Sequence, residues 1–131
     1  MPKNDSPQGH IHAGPVAGGT ALQIVLKDVS LDFEASKLVK ERLADLVREF
    51  LVEGHRSFLL DVSAAQSIDS CGVGILIAAH HQISEAGGRL AVVGAGAFVT
   101  KVLKMMSLDR FLLLAADQDE ALAAVVEDAR D

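Results

Sequence analysis

The sequence predicts an α/β fold: one domain with a mostly parallel central sheet of about four to five strands and about four helices. Three observations predict it. Strand-like segments alternate with helical ones along the chain, which requires crossover connections that lay helices on a sheet. The run SFLLDV from Ser57 to Val62 is apolar enough for a strand buried on both faces. Between Glu34 and Glu53 the apolar positions Leu38, Val39, Leu43, Leu46, Val47, Phe50 and Leu51 recur every three and four residues, opposite Lys37, Lys40, Glu41, Asp45 and Arg48.

The elements follow in order. Met1 to Gly19 is rich in Gly, Pro and polar residues, so residues 1–19 are expected to be a flexible N-terminal tail and 20–131 the folded domain. His10 and His12 fall in that tail and receive no role. Ala21 to Lys27 alternates and carries β-branched residues, as a strand does, and the pattern turns helical near Asp32. Gly54 stops the first helix, the SFLLDV strand follows, and Ser63 to Asp69 is a loop. Cys71 to Ala86 reads as a second helix ended by Gly87 and Gly88, and Leu90 to Val93 as a strand. A third helix, Ala97 to Met106, presents Phe98, Val99, Val102, Leu103 and Met106. Phe111 to Leu114 is a short last strand, and Gln118 to Ala129 a fourth helix with Leu122, Val125 and Val126 on one side.

Composition excludes several function classes. The 131 residues carry 18 acidic and 12 basic side chains, a net charge of −6, with no Trp or Tyr. That balance lacks the basic footprint and stacking surface of nucleic-acid binding. No apolar run reaches the ~18 to 20 residues of a membrane helix, so no membrane insertion is expected. The N-terminus lacks the apolar core of a secretory signal. The one cysteine, Cys71, has no internal disulfide partner and fits a reducing compartment, so a cytoplasmic setting is expected.

The most informative segment is Ser67-Ile68-Asp69-Ser70-Cys71-Gly72-Val73-Gly74, which joins a buried strand to a helix. A Ser just before an apolar helical run can serve as an N-cap, a duty worth ~1 kcal/mol. Gly72 and Gly74 lie in the first turn, where each costs ~1 kcal/mol relative to Ala. They point either to close approach by another molecule or to tight packing against the sheet. A Ser at an open helix N-terminus also tolerates a phosphate, because free amides and the positive pole of the helix favour negative charge.

Catalytic arrangements fail on composition. A nucleophile elbow needs G-x-S-x-G, but residue 68 is Ile and no His follows His81. Neither Gly72-Val73-Gly74 nor Gly94-Ala95-Gly96 is completed to G-x-G-x-x-G, and no G-K-[ST] loop exists. His80 and His81 project ~100° apart and do not chelate one metal; His80 is expected half-buried beside Val73, Leu76 and Ile83, and His81 and His55 at the surface. Cys71 is expected to be a small buried filler, with oxidation at a helix start as the alternative. No cofactor, no metal and no enzymatic activity are expected.

These residues resemble a known family, the STAS domains, and in particular the bacterial anti-sigma factor antagonists, or anti-anti-sigma factors. The resemblance runs from about Thr20 to Val126. It rests on Leu31-Asp32 before the first helix, Phe58-Leu59-Leu60-Asp61-Val62-Ser63, the Ile68 to Gly74 loop, Gly87-Gly88-Arg89-Leu90, and Val102-Leu103 through Ser107-Leu108-Asp109-Arg110-Phe111. It implies a STAS domain over 20–131 and a partner-switching role in signal transduction and transcription regulation.

In the family, the Ser after Asp in the D-S-[ST]-G loop is phosphorylated by an anti-sigma factor that is also a serine kinase. That position is Ser70. The resemblance implies a phosphoprotein that binds the kinase when Ser70 is unmodified, is released on phosphorylation, and is restored by a serine phosphatase. Asp32, Asp69, Ser70, Cys71, Gly72 and Gly74 are the implied partner-binding residues. Alternatives within the family are an accessory subunit of a lipid or anion transport system, and a ligand- or redox-sensing module. Three departures stand out. Cys71 replaces the usual Ser or Thr, the segment before Ala21 leaves little room for the family's first strand, and Ser107 replaces a Gly.

Overall fold

A computed structural model describes residues 11–27, 33–110 and 112–130. Among the described residues, β1 (Ile11–Val16), β2 (Ala21–Leu26), β3 (Ser57–Asp61), β4 (Arg89–Val93) and β5 (Leu113–Ala115) form one sheet in the order β1-β2-β3-β4-β5. The helices are α1 (Phe33–Val52), α2 (Ser70–Glu85), α3 (Ala97–Met105) and α4 (Gln118–Arg130). β1 is antiparallel to β2, and every other pair is parallel.

Successive parallel strands are neighbours, so the crossovers through α1, α2 and α3 advance in one direction and share one hand. They therefore cover one face of the sheet. Strand alternation divides the core accordingly. Phe58, Leu60, Leu90 and Val92 pack with Leu43, Leu46 and Val47 of α1, Leu76 and Ile83 of α2, and Val99 and Leu103 of α3. Leu59, Ala91, Val93 and Ala115 point the other way, onto Ala121 and Val125 of α4. β3 is thus buried on both faces, as its unbroken apolar run requires.

Three expectations are corrected. Residues 1–10 lie outside the described residues, but the segment read as a tail up to Gly19 contains an edge strand, with Ile11 opposite Leu26 and Val16 opposite Ala21. Ala17, Gly18 and Gly19 all have positive φ and turn the chain into β2, and the Thr20 hydroxyl donates to the Ala17 carbonyl at 2.9 Å. Pro15 is tolerated because an edge strand need not donate from every residue. Glycine and proline here make a hairpin, and the family's first strand finds its room.

The last strand is Leu113–Ala115, not 111–114. Leu112 N–H still donates to the Leu108 carbonyl, closing a turn that holds the chain back from the sheet. Phe111 lies outside the described residues. On α3 only Val99 and Leu103 are buried; Phe98 and Met106 are exposed, because a nine-residue helix at the sheet margin covers only a narrow stripe.

Candidate partner-docking site

β3 ends at Asp61, beside Val93 at the end of β4, and residues 62–69 carry the chain from there to the start of α2. Val62, Ala65 and Ile68 are buried, while Ser63, Ala64, Gln66 and Ser67 are exposed. Three apolar anchors therefore pin the loop to the core and hold the residues after Ile68 at the surface. Crevices at carboxyl ends of parallel strands are where such sheets place their functional groups.

Asp69, not a serine, caps α2. Its backbone is extended (φ −118°, ψ −171°), and its Oδ1 accepts from Cys71 N–H at 2.9 Å and Gly72 N–H at 3.1 Å. Ser70 is consequently the first helical residue. It is exposed, and among the described residues its hydroxyl makes no hydrogen bond. The expectation of a capping serine is corrected, and so is that of open amides awaiting an anion, since two are already taken by the Asp69 carboxylate.

Cys71 is half-buried and Gly72 buried, so both turn away from the surface that Ser70 presents. Gly74 differs. It stands one turn beyond Ser70 on the same face, and a Cβ added there would meet nothing within 4 Å. Packing against the sheet does not account for it. Ile77, 37% exposed, and His81 continue the face. The structure thus brings Asp69, Ser70 and Gly74 together at one helix start; Asp32 lies outside the described residues.

Sequence reasoning missed a neighbouring constellation. Asp61 Oδ1 accepts from the Ser63 N–H at 2.8 Å and the Ser63 hydroxyl at 2.6 Å. Gly94 (φ 76°) closes over this turn, where a Cβ would lie 3.0 Å from Ser63 Cβ. Asp two residues before Ser at a strand end is the available signal, because an Asp side chain readily bonds the amide two residues on. The turn shapes the floor beside the loop.

The histidines divide. His81 is exposed, with Nε2 3.2 Å from Glu85 Oε2. His55, expected at the surface, is instead half-buried, edge-on to Phe50 with ring centroids 5.6 Å apart. His80 is half-buried as expected, and burial, then the charges of His81 and Arg89, push its pKa down. Among the described residues no helix is long and apolar enough to cross a membrane.

Sheet, helices and capped helix start together define an α/β domain with an exposed serine opening its second helix. The STAS domain family model matches residues 22–121, and the chain belongs to that family. A Thermotoga neapolitana protein provisionally described as an anti-sigma factor antagonist is 32% identical over 102 residues, covering 78% of this chain and 88% of that one. The crystal structure of a Thermotoga maritima protein described in the same provisional way has a TM-score of 0.72 at 28% identity, covering 92% of this chain and 95% of its own. The phosphorylated form of the Bacillus cell fate determinant SpoIIAA shares the fold, with a TM-score of 0.60 at 17% identity over 87% of this chain and 97% of that one.

Proposed function

We propose that this protein is an anti-sigma factor antagonist whose partner binding is switched by phosphorylation of Ser70. The observation that carries the reading is the division of labour at the start of α2. Asp69 does the structural work of capping, and Ser70 is left exposed with its hydroxyl uncommitted among the described residues. A serine needed for the cap could not change its chemistry without loosening the helix; this one can.

The partner is an anti-sigma factor with serine kinase activity, and a serine phosphatase reverses the modification. A phosphate on Ser70 stands beside the Asp69 carboxylate, so it concentrates negative charge where a partner docks instead of settling onto free amides. Its force is spent on the complex. SpoIIAA, solved in both phosphorylated and unphosphorylated forms, supports the reading by analogy of fold. Asp32 and Asp69 take part as charges met by the partner. The module works by binding and release, in the cytoplasm, and needs no cofactor.

The test is a titration of the cognate anti-sigma factor with wild-type, Ser70→Ala and Ser70→Asp proteins. Ser70→Asp should bind at least ~10-fold more weakly, since like charges placed in an interface cost more than 1.4 kcal/mol. Ser70→Ala should bind as the wild type does. Equal binding by all three would remove Ser70 from the interface.

A further inference from the structure

Among the described residues β5 ends the sheet, so one of its edges faces away from β4. The Ala115 carbonyl accepts from the Gly94 N–H at 2.9 Å, which turns the backbone of Ala115, and with it that of Leu113, toward β4. Alternation along the strand then turns the N–H and C=O of Leu114 outward. The donors on either side of it are engaged: Leu112 N–H donates to the Leu108 carbonyl at 2.9 Å, and Ala116 N–H to Glu120 Oε1 at 2.9 Å. An added strand needs a donor at every second residue, so this edge resists strand addition. A small molecule needs only Leu114.

Beside that edge lies a cavity of about 470 Å³, whose lining includes Ala95, Thr100, Lys104, Asp109, Leu112 and Leu114. Its size falls within the roughly 300–1,000 Å³ of small-molecule sites, which are mostly apolar with a few placed polar groups. The Thr100 hydroxyl donates to the Ala95 carbonyl at 3.1 Å and holds α3 against the chain leaving β4, which fixes one wall.

We infer that this cavity binds a free α-amino acid with a large apolar side chain. An amino acid presents an acceptor and a donor one α-carbon apart, the spacing at which Leu114 presents its own N–H and C=O. It therefore pairs as a single residue of an added strand would. The charges of the lining match the two ends of a zwitterion. Lys104 is a cation and Asp109 an anion, and among the described residues they form no ion pair with each other. α3 carries Lys101 and Lys104 and no acidic residue, and both lysines line a second hollow that shares Ala95 and Thr100 with the first. The ligand carboxylate accordingly lies on the α3 side, accepting from Lys104 Nζ and the Leu114 N–H. Its ammonium donates to the Asp109 carboxylate and the Leu114 carbonyl, and its side chain covers Ala95 and Leu112. The site shares no residue with the Ser70 face of α2 and does not depend on Ser70 being a switch.

The test is a titration of the full chain with L-phenylalanine at neutral pH, followed by two-dimensional amide NMR. The amides of Leu114, Thr100 and Lys104 should shift and saturate together, while those of Ser70 and Gly74 stay in place. Lys104→Met and Asp109→Asn, both at exposed positions, should each weaken binding at least ~10-fold, the low end for losing a hydrogen bond to a charged group, with the rest of the spectrum unchanged. Hydrocinnamate, which lacks the ammonium, and phenethylamine, which lacks the carboxylate, should bind correspondingly weakly. A Leu114 amide that does not respond saturably, or a variant that binds as the wild type does, would overturn the site. Equal binding of hydrocinnamate would overturn the zwitterion, and equal binding of glycine the apolar side chain.

Discussion

Gly74 lies one helical turn beyond Ser70 on the same face of α2, and the space a Cβ would occupy there is empty to 4 Å. A glycine inside a helix costs ~1 kcal/mol relative to alanine, and nothing within the domain requires this one. Gly74→Ala should therefore stabilise the protein by about 1 kcal/mol while weakening binding of the anti-sigma factor. Denaturant unfolding and a binding titration on the same variant check both halves. Loss of stability would mean that Gly74 answers to internal packing after all.

The assignment of the cap to Asp69 separates two adjacent residues. Asp69→Ala should cost ~1 kcal/mol, within the 0.5–2 range of lost caps, and Asp69→Asn much less because Asn caps about as well. Ser70→Ala should leave stability within about ±0.5 kcal/mol, as exposed substitutions without a structural duty do. Urea midpoints for the three variants decide the matter. A larger loss for Ser70→Ala than for Asp69→Ala would return the cap to the serine.

Ser107 ends the α3 segment at φ 59°, a left-handed conformation in a residue that carries a Cβ. Its N–H still donates to the Lys104 carbonyl at 3.0 Å, so the turn forms despite the strain. Ser107→Gly should stabilise by about 1 kcal/mol, raising Tm by a few degrees. An unchanged or lower Tm in calorimetry would show that the side chain contributes something to offset its backbone cost.

His80 sets a pH dependence. Its folded pKa lies below the ordinary 6.5 because burial, His81 and Arg89 all disfavour its charged form. The unfolded chain therefore takes up the proton first as pH falls. The stability associated with neutral His80 is fully present above about 6.5 and is lost as pH drops through the folded value. His80→Gln should flatten that part of a stability-against-pH curve measured by urea unfolding. A slope unchanged by the substitution would place the linkage elsewhere.

Much of this was legible in the sequence, and the failures have physical causes. α1 was readable because a long helix lying on a sheet must repeat its apolar positions, and Val39, Leu43, Leu46 and Val47 are buried as that repeat requires. β3 was readable because both its faces are covered. β1 was not, since an edge strand with one face and one free side tolerates the His, Gly and Pro that also fill tails. Phe98 and Met106 were misplaced because periodicity marks a helix face but not how much of it the neighbours cover. At the site, the order Asp69-Ser70 was visible, but which of the two caps the helix depends on where α2 begins, and that differs by a single residue between the alternatives.

If Ser70 is the switch residue, as proposed, phosphate mapped on the protein falls there. The wild type and Ser70→Ala are incubated with ATP and the kinase recovered with the protein from native extract, and tryptic peptides are analysed by mass spectrometry. Phosphate confined to Ser70, and absent from the Ser70→Ala variant, is the expected result. A recovered partner without kinase activity, or phosphate on another residue, would contradict the switch and leave the STAS fold with a different means of control.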